Sequence, residues 1–215
     1  MCFIYYYQFR NHANCMRYCS FLRLYGVTQD PETKEYMIVM EYANKGSFLS
    51  YLDQNINNLT WKMKLQHLQS IAEHLYIIHV TGLVHGDLHG GNIVMGNMRY
   101  NQTNPYICDL GLSRSVNLRQ QNSTIRGVLP FTAPEVFHTC KFTQKSDIYS
   151  FGIIMYLIAT GEQPFKDRQF NEDLARDIMG GLRPSMPDSA PEGYKKLAER
   201  CYDADPEDVQ PLSQE

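Results

Sequence analysis

Apolar residues recur at steps of three and four positions directly after Thr60, a residue type that commonly caps helices. These apolar positions are Trp61, Leu65, Leu68, Ala72, Leu75 and Ile78. The spacing predicts an amphipathic helix that ends near Gly82, because glycine favours helix ends. A second apolar stretch, residues 148–161, lies between Asp147 and Glu162. It predicts a buried core helix, since it is shorter than the ~20 residues that a membrane span needs.

Strand-forming residues are concentrated early in the chain. Residues 21–28 and 36–43 are rich in them, and the intervening residues 29–34 carry proline and charges, which predicts a hairpin. Residues 83–95 predict a strand, a loop and a strand, and residues 106–114 predict a strand that runs into a loop. Further helices are predicted at 48–54, 134–138, 146–160, 170–180 and 191–202, with a long polar loop over 115–132. This order predicts an α+β fold that is mainly helical after its first strands.

The composition is that of a globular domain, with 43% hydrophobic residues, 20% charged residues and a formal net charge of −3. Such a chain can fill a core, which excludes disorder as its main state, and it lacks the basic surplus typical of nucleic-acid-binding proteins. The first residues, MCFIYYYQF, show neither the positive n-region nor the cleavage site of a signal peptide. The six cysteines contain no CxxC pair, which favours a reduced, cytoplasmic protein. No membrane partner is expected, because the longest apolar run is too short to span a bilayer.

Three polar residues indicate a chemistry. Asp87 and Asn92 lie five positions apart in one predicted loop, and Asp109 begins another loop after a short strand. Phosphoryl transfer needs a carboxylate near the attacking hydroxyl and oxygen ligands that hold Mg²⁺ on the phosphates. One aspartate for the first task, and an asparagine with an aspartate for the second, would suffice. Taken singly, each residue is equally well explained as a loop cap.

Five motifs in order resemble those of eukaryotic protein kinases. Residues 85–92, HGDLHGGN, resemble the H-R-D-L-x-x-x-N catalytic loop. Residues 109–111, DLG, resemble D-F-G, and residues 133–135 are A-P-E. Residues 147–152, DIYSFG, and residues 160–165, TGEQPF, resemble the start of that family's large central helix and the stretch after it. The resemblance extends from about residue 20 to residue 205 and implies a protein-kinase-like fold that uses ATP and Mg²⁺ to phosphorylate proteins.

The resemblance also implies roles for individual residues. Asp87 matches the catalytic base, and Asn92 and Asp109 match the Mg²⁺ ligands. The residues expected around the adenine are the gatekeeper Met40, the hinge residues Glu41 and Ala43, the apolar floor Val94, and Cys108. For Cys108 the simpler interpretation, a small buried hydrophobic residue, outweighs a redox role. Leu24, His85 and Leu110 match an apolar spine, and Asp147 is expected to tie the catalytic-loop backbone to the central helix.

Several positions depart from the family pattern. Gly86 replaces the arginine that meets an activation-loop phosphate, so loop phosphorylation is not the expected switch, and Ser123 and Thr124 are interpreted as solvated loop residues. His89 and Val128 replace the lysine and threonine that pair in serine/threonine kinases, which leaves serine/threonine against tyrosine specificity open. HGDLHGGN also resembles the loop of aminoglycoside and choline phosphotransferases, but the other motifs favour protein kinases of the tyrosine-kinase-like group.

The small lobe of the family is the part that the sequence matches least. There is no G-x-G-x-x-G loop, no V-A-I-K-type lysine and no glutamate in place for the αC helix. We therefore expect residues 1–42 to be a remnant of the small lobe: the end of the αC region, two strands and the start of the hinge. Residues 43–215 are expected to form the large lobe, incomplete at its last helix. The arginine that normally pairs with the A-P-E glutamate is missing from residues 205–211, so Glu135 is expected to lack its partner.

Two strands alone do not make a stable sheet. The loss of neighbouring strands and of the covering helix is therefore expected to leave apolar surface wet and the isolated chain marginally stable or partner-dependent. Three functions follow from the sequence. The first is a protein kinase whose activity is impaired by truncation; the others are a catalytically inactive binding module and an incomplete gene product.

Overall fold

The computed structural model describes residues 2–18, 21–96, 103–110 and 129–203. Its helices are α1 (Cys2–Cys15), α2 (Phe48–Asn55), α3 (Trp61–Val80), α4 (Pro134–Thr139), α5 (Gln144–Thr160), α6 (Glu172–Met179) and α7 (Glu192–Cys201). Its strands are β1 (Leu24–Gln29), β2 (Tyr36–Met40), β3 (Ile93–Gly96) and β4 (Asn104–Ile107). Short 3₁₀ turns occupy Ile56–Asn58, Gly90–Asn92 and Leu129–Phe131. The predicted α+β class, with helices dominating after the first strands, is confirmed.

The first two strands form the predicted antiparallel hairpin, with a bulge between Leu24 and Gly26. The helix α1 packs against both strands, so the expectation that the hairpin had lost its covering helix is wrong. The hairpin keeps exposed apolar side chains on both of its faces. Met37 and Val39 lie on one face, and Val27, which pairs with Ile38, lies on the other. Tyr25 and Tyr36 are exposed as well.

A second antiparallel pair, β3 with β4, places Ile93 opposite Ile107. The segment that follows β2 is bonded to the same pair: the Met95 N–H donates to Gly46 O at 2.8 Å and the Lys45 N–H donates to Met95 O at 3.0 Å. An isolated bridge joins Ser47 to Val94. The second sheet therefore fixes the connection between the hairpin and the helical part of the molecule.

The predicted strand at the start of residues 83–95 is wrong, because only β3 at the end of that stretch is extended and paired. The backbone N–H groups of His85 and Gly86 bond instead to the carboxylate of Asp147. A side chain thus satisfies the backbone groups that a neighbouring strand would otherwise satisfy. The apolar residues that flank this loop have the composition of a strand, which explains the wrong prediction.

The core is centred on α5, which is buried almost along its whole length. It packs against α3 and α7. Gly152 permits the close approach of α7, because a Cβ there would lie 2.8 Å from Cys201 Cβ. Thr143 caps the helix in a reciprocal capping box with Ser146. In the described parts of the chain, no helix is both long and apolar enough to cross a bilayer.

The helix α3 is present as predicted, but its buried face differs from the expected one. Leu65 is 47% exposed, whereas Lys64, His67 and His74 are buried. Lys64 Nζ donates a hydrogen bond to Ala159 O at 2.7 Å. This carbonyl group lies in the last turn of α5 and gives the buried ammonium group a polar partner. Three polar side chains thus occupy positions that the apolar periodicity assigned to the helix surface.

Glu135 is half-buried near the start of α4. Burial raises the pKa of this half-buried carboxyl group, while the nearby charges of Arg183 and Lys145 lower it. The guanidinium of Arg183 also donates from Nε to Tyr202 O at 2.7 Å and from Nη1 to Ile178 O at 2.8 Å. Arg183 therefore lies near enough to act on Glu135 through its charge, while its hydrogen bonds go to backbone carbonyl groups.

The first prediction concerns His67, which is 5% exposed and lies edge-on to the rings of Phe48 and Tyr51. Neither ring nitrogen has a hydrogen-bond partner in the described structure, and burial lowers its pKa. The unfolded chain therefore takes up this proton first as the pH falls below about 6.5, and unfolding is favoured. We expect H67L to reduce the acid slope of the unfolding free energy by up to ~1.4 kcal/mol per pH unit, measured by urea denaturation between pH 7.5 and pH 5.5.

The matched control is H138L, because His138 is exposed near the end of α4. It should leave the acid slope as in the unsubstituted chain. An H67L slope equal to that of the control would contradict the prediction.

The second prediction concerns Arg183. R183M leaves buried carbonyl oxygens without a charged donor, and we expect it to lower the free energy of unfolding by about 2–3 kcal/mol. R168M removes an exposed ion pair to Asp177 of 2.6 Å and should cost no more than ~1 kcal/mol. Chemical denaturation of both variants measures the difference, and equal losses would contradict a structural role for Arg183.

Candidate functional site

A buried carboxylate at the start of α5 holds the loop that carries Asp87. Asp147 is 1% exposed, and its Oδ2 accepts the His85 N–H at 2.8 Å while its Oδ1 accepts the Gly86 N–H at 2.9 Å. His79 Nε2 donates to the same Oδ2 at 2.9 Å. The tie expected from the resemblance is therefore present. The sequence analysis missed His79, although a histidine in the last turn of a helix is a recognisable partner for an acid.

The imidazole of His85 joins two loops. It is fully buried, its Nδ1 accepts the Asp87 N–H at 3.2 Å, and its Nε2 donates to Cys108 O at 3.2 Å. Burial lowers the pKa of His85 against the opposing charge of Asp147. The neutral ring is the form that fits, because one nitrogen must accept and the other must donate.

Asn92 fixes the position of Asp87. Its Nδ2 donates to Asp87 O at 2.8 Å and to Asp87 Oδ2 at 3.0 Å. The two side chains are therefore brought together by the structure, as the five-residue spacing suggested. Both Nδ2 bonds are directed to Asp87, which leaves Oδ1 as the amide atom suited to a cation.

Asp109 follows β4 and lies beside the same loop. The Cys108 N–H donates to Asn92 O at 2.9 Å, which places Asp109 one residue from a direct backbone link to Asn92. Asp109 adopts a left-handed conformation with φ of 58°, a conformation that aspartate tolerates better than most residues. The backbone therefore turns sharply at Asp109, and the residue is exposed there.

Cys108 behaves as a small buried group. Its Sγ lies 3.2 Å from Asn92 O, and burial raises its pKa to about 12, with the charge of Asp109 adding to the effect. The thiol is therefore protonated near neutral pH and is a poor nucleophile. This supports the simpler interpretation of the residue over a redox role.

The residues expected around an adenine lie along β2, the segment after it, and β3. Met40 is half-buried and pairs with Leu24 across the hairpin. The Glu41 N–H donates to Arg23 O at 2.7 Å. Val94 is bridged to Ser47 just beyond Ala43. The Ser47 bridge therefore brings Val94 close to the segment after β2, whereas the contacts of Met40 and Glu41 lie within the hairpin.

The donor set suits a hard cation held jointly with phosphates. Asn92 and Asp109 offer oxygen ligands, which Mg²⁺ prefers, and Mg²⁺ is usually bound by one or two protein side chains together with phosphates and water. Among the described residues, no group of three or more His, Cys, Asp or Glu side chains is arranged to hold a metal by itself. A site completed by a nucleotide is the arrangement that these residues fit.

Three residues considered from the sequence lie outside the described residues, namely Ser123, Thr124 and Val128. Two of the residues expected to form an apolar spine lie within them. Leu110 is buried and Leu24 is half-buried.

Comparison with known proteins gives a consistent result. The family model for protein tyrosine and serine/threonine kinases matches residues 7–214. The chain is 34% identical over 180 residues to the serine/threonine-protein kinase named roco8 of Dictyostelium discoideum, covering 80% of this chain and 10% of that protein. A second serine/threonine-protein kinase of the same organism is 27% identical over 214 residues, covering 92% of this chain and 13% of that protein.

A serine/threonine-protein kinase/receptor of Acanthamoeba polyphaga mimivirus is 31% identical over 171 residues, covering 78% of this chain and 10% of that protein. The chain thus spans about a tenth of the length of the curated relatives that it matches. The family match covers most of the chain, and the loops of Asp87 and Asp109 lie within it. The chain belongs to the protein tyrosine and serine/threonine kinase family, as a protein kinase domain.

Proposed function

We propose that this protein kinase domain transfers the terminal phosphoryl group of ATP to a serine or threonine hydroxyl of a protein substrate. The choice of serine or threonine is supported by the names of the relatives, which are serine/threonine-protein kinases. The observation that carries the proposal is the paired contact of Asn92 Nδ2 with Asp87 O and Oδ2, at 2.8 and 3.0 Å. This contact supports the proposal because it holds the Asp87 carboxylate, the proposed base, against the side chain of Asn92, the proposed metal ligand.

Each residue has a distinct role in the proposal. Asp87 accepts the proton of the attacking hydroxyl on its Oδ1, since its Oδ2 is engaged by Asn92. Asn92 and Asp109 would hold Mg²⁺, which would supply positive charge to offset the negative charge of the phosphates during transfer. The neutral ring of His85 keeps the two loops at a fixed separation.

The nucleotide base is proposed to lie between the hinge and β3. Glu41 and Ala43 supply backbone groups to the adenine, Met40 limits the depth of the pocket and Val94 packs beneath the ring. Cys108 lines the same region as a small protonated thiol. The described cysteines Cys15, Cys108, Cys140 and Cys201 are free, which supports a reducing compartment such as the cytoplasm.

A second candidate is a catalytically inactive module that binds other proteins. It is the function expected of a kinase-like chain without the G-x-G-x-x-G sequence and the V-A-I-K-type lysine, which hold the phosphates in kinases; the 215 residues contain neither. The retained constellation of Asp87, Asn92 and Asp109 favours the enzyme. Binding of nucleotide separates the two candidates.

The third prediction concerns Asp109. We expect the chain to bind Mg·ATP measurably in isothermal titration calorimetry, and D109N to weaken this binding by ~10-fold or more through loss of a charged metal ligand. ATP in excess EDTA should bind both forms equally weakly. D53N, which neutralises an exposed carboxylate on α2, serves as the control and should bind as the unsubstituted chain does. Failure of the unsubstituted chain to bind Mg·ATP would favour the inactive module.

The fourth prediction concerns Asp87. D87N retains an oxygen that accepts from Asn92 but loses the basic carboxylate, so we expect Mg·ATP affinity to change by less than ~3-fold while phosphate transfer falls by ~100-fold or more. Transfer from radiolabelled ATP to a mixture of serine-, threonine- and tyrosine-containing peptides measures both the rate and the acceptor. A D87N variant as active as the unsubstituted chain would exclude Asp87 as the base, and transfer to tyrosine alone would overturn the proposed acceptor.

A further inference from the structure

The side chain of His89 lies beside the proposed base. Its Nε2 is 3.7 Å from Asp87 Oδ2, and both side chains are about one-fifth to one-quarter exposed, at 21% and 24%. His89 also caps the 3₁₀ turn Gly90–Asn92, in which its Nδ1 accepts the Gly91 N–H at 3.0 Å. One residue therefore combines a structural contact on one nitrogen with a contact to the proposed catalytic group on the other.

The cap determines which nitrogen of His89 carries the proton. A backbone N–H can only donate, so Nδ1 must present its lone pair to Gly91. The proton of the neutral ring is then on Nε2, the nitrogen that faces Asp87. The ring thereby presents an N–H group to the carboxylate without needing a positive charge.

The position of the ring is enforced by its neighbours. A Cβ on Gly91 would lie 2.7 Å from His89 Cε1 and 2.9 Å from His89 Nδ1, so only glycine leaves room for the ring. The ring also lies against Phe131, with centroids 6.1 Å apart. Phe131 is buried in the 3₁₀ turn that precedes α4. The imidazole is thus held between the base and the segment that leads into α4.

We propose that His89 is a positioning residue for Asp87, whose Nε2–H orients the carboxylate for proton transfer from the substrate hydroxyl. The inference rests on the proposed function. The Nε2 to Oδ2 distance is longer than a direct hydrogen bond, and such contacts in ligand-free active sites commonly shorten when the reactants are bound. Asn92 and His89 then hold Oδ2 from two directions, and Oδ1 is left to receive the proton.

Two substitutions separate positioning from capping. In H89N, the side-chain Oδ1 replaces Nδ1 as the cap acceptor, but nothing occupies the place of Nε2. In H89K, a long cationic side chain restores a donor toward Asp87. We expect H89N to retain the melting temperature and Mg·ATP affinity of the unsubstituted chain and to lower kcat by ~10-fold or more with little change in peptide KM. H89K should recover at least part of the lost kcat, and H138N, at an exposed histidine, should change nothing.

A third substitution displaces the His89 ring without changing His89 itself. The backbone of Gly91 is not in a left-handed conformation, so G91A displaces the imidazole without straining its own residue. We expect G91A to reproduce the kcat defect of H89N. An unchanged kcat in both H89N and G91A, or a defect in H89N that is confined to the melting temperature, would overturn the proposal.

The tautomer is tested independently of activity by long-range proton–nitrogen correlation spectra of the ¹⁵N-labelled chain. The His89 signals are assigned by their loss in H89N. We expect a protonated Nε2 and an unprotonated Nδ1 in the unsubstituted chain, and loss of that pattern in G91A. A protonated Nδ1 would overturn the inference about His89 whether or not the chain transfers phosphate, whereas failure of transfer with the expected tautomer would count against the proposed function alone.

Discussion

The carboxylate of Asp147 is the constraint on which the rest of the site depends. It is almost fully buried, yet it has hydrogen-bond donors on both oxygens, from the His85 and Gly86 backbone and from the His79 ring. Its place in the first turn of α5 adds the favourable field of the helix N-terminus. A buried charge satisfied in this way acts as a rigid anchor, because removal of any donor leaves it incompletely paired.

From Asp147, a series of hydrogen bonds between uncharged groups fixes the positions of the other residues of the site. Asp147 sets the backbone at His85, the His85 ring bonds the Asp87 N–H and Cys108 O, and the Cys108 N–H bonds Asn92 O. The two loops therefore have their relative position fixed by α5 and the second sheet. The hairpin of β1 and β2 is not among the elements that these hydrogen bonds connect.

The sequence was informative where periodicity and local turns decide the structure, as for α5, α3 and the hairpin. Prediction from the sequence failed where a contact with a residue distant in the chain determines the local structure. The buried face of α3 includes Lys64 because Ala159 O, far along the chain, accepts a hydrogen bond from its ammonium group. The segment before β3 is not a strand because Asp147 takes its backbone donors. The residues of the site were predicted from motif order, whereas their spacing in three dimensions required the structure.

The glycines of the HGDLHGGN segment explain why this version of the catalytic loop tolerates its departures from the family pattern. Gly86 has a left-handed backbone with φ of 74°, which glycine adopts without the steric cost of a side chain. A Cβ on Gly90 would lie 2.7 Å from Leu157 Cδ2, so this residue lets the loop pack directly against α5. Gly91 leaves room for the His89 ring in turn. Gly86 therefore provides the left-handed turn of the loop, and Gly90 provides its close packing against α5. The Asp147 carboxylate holds the backbone at His85 and Gly86.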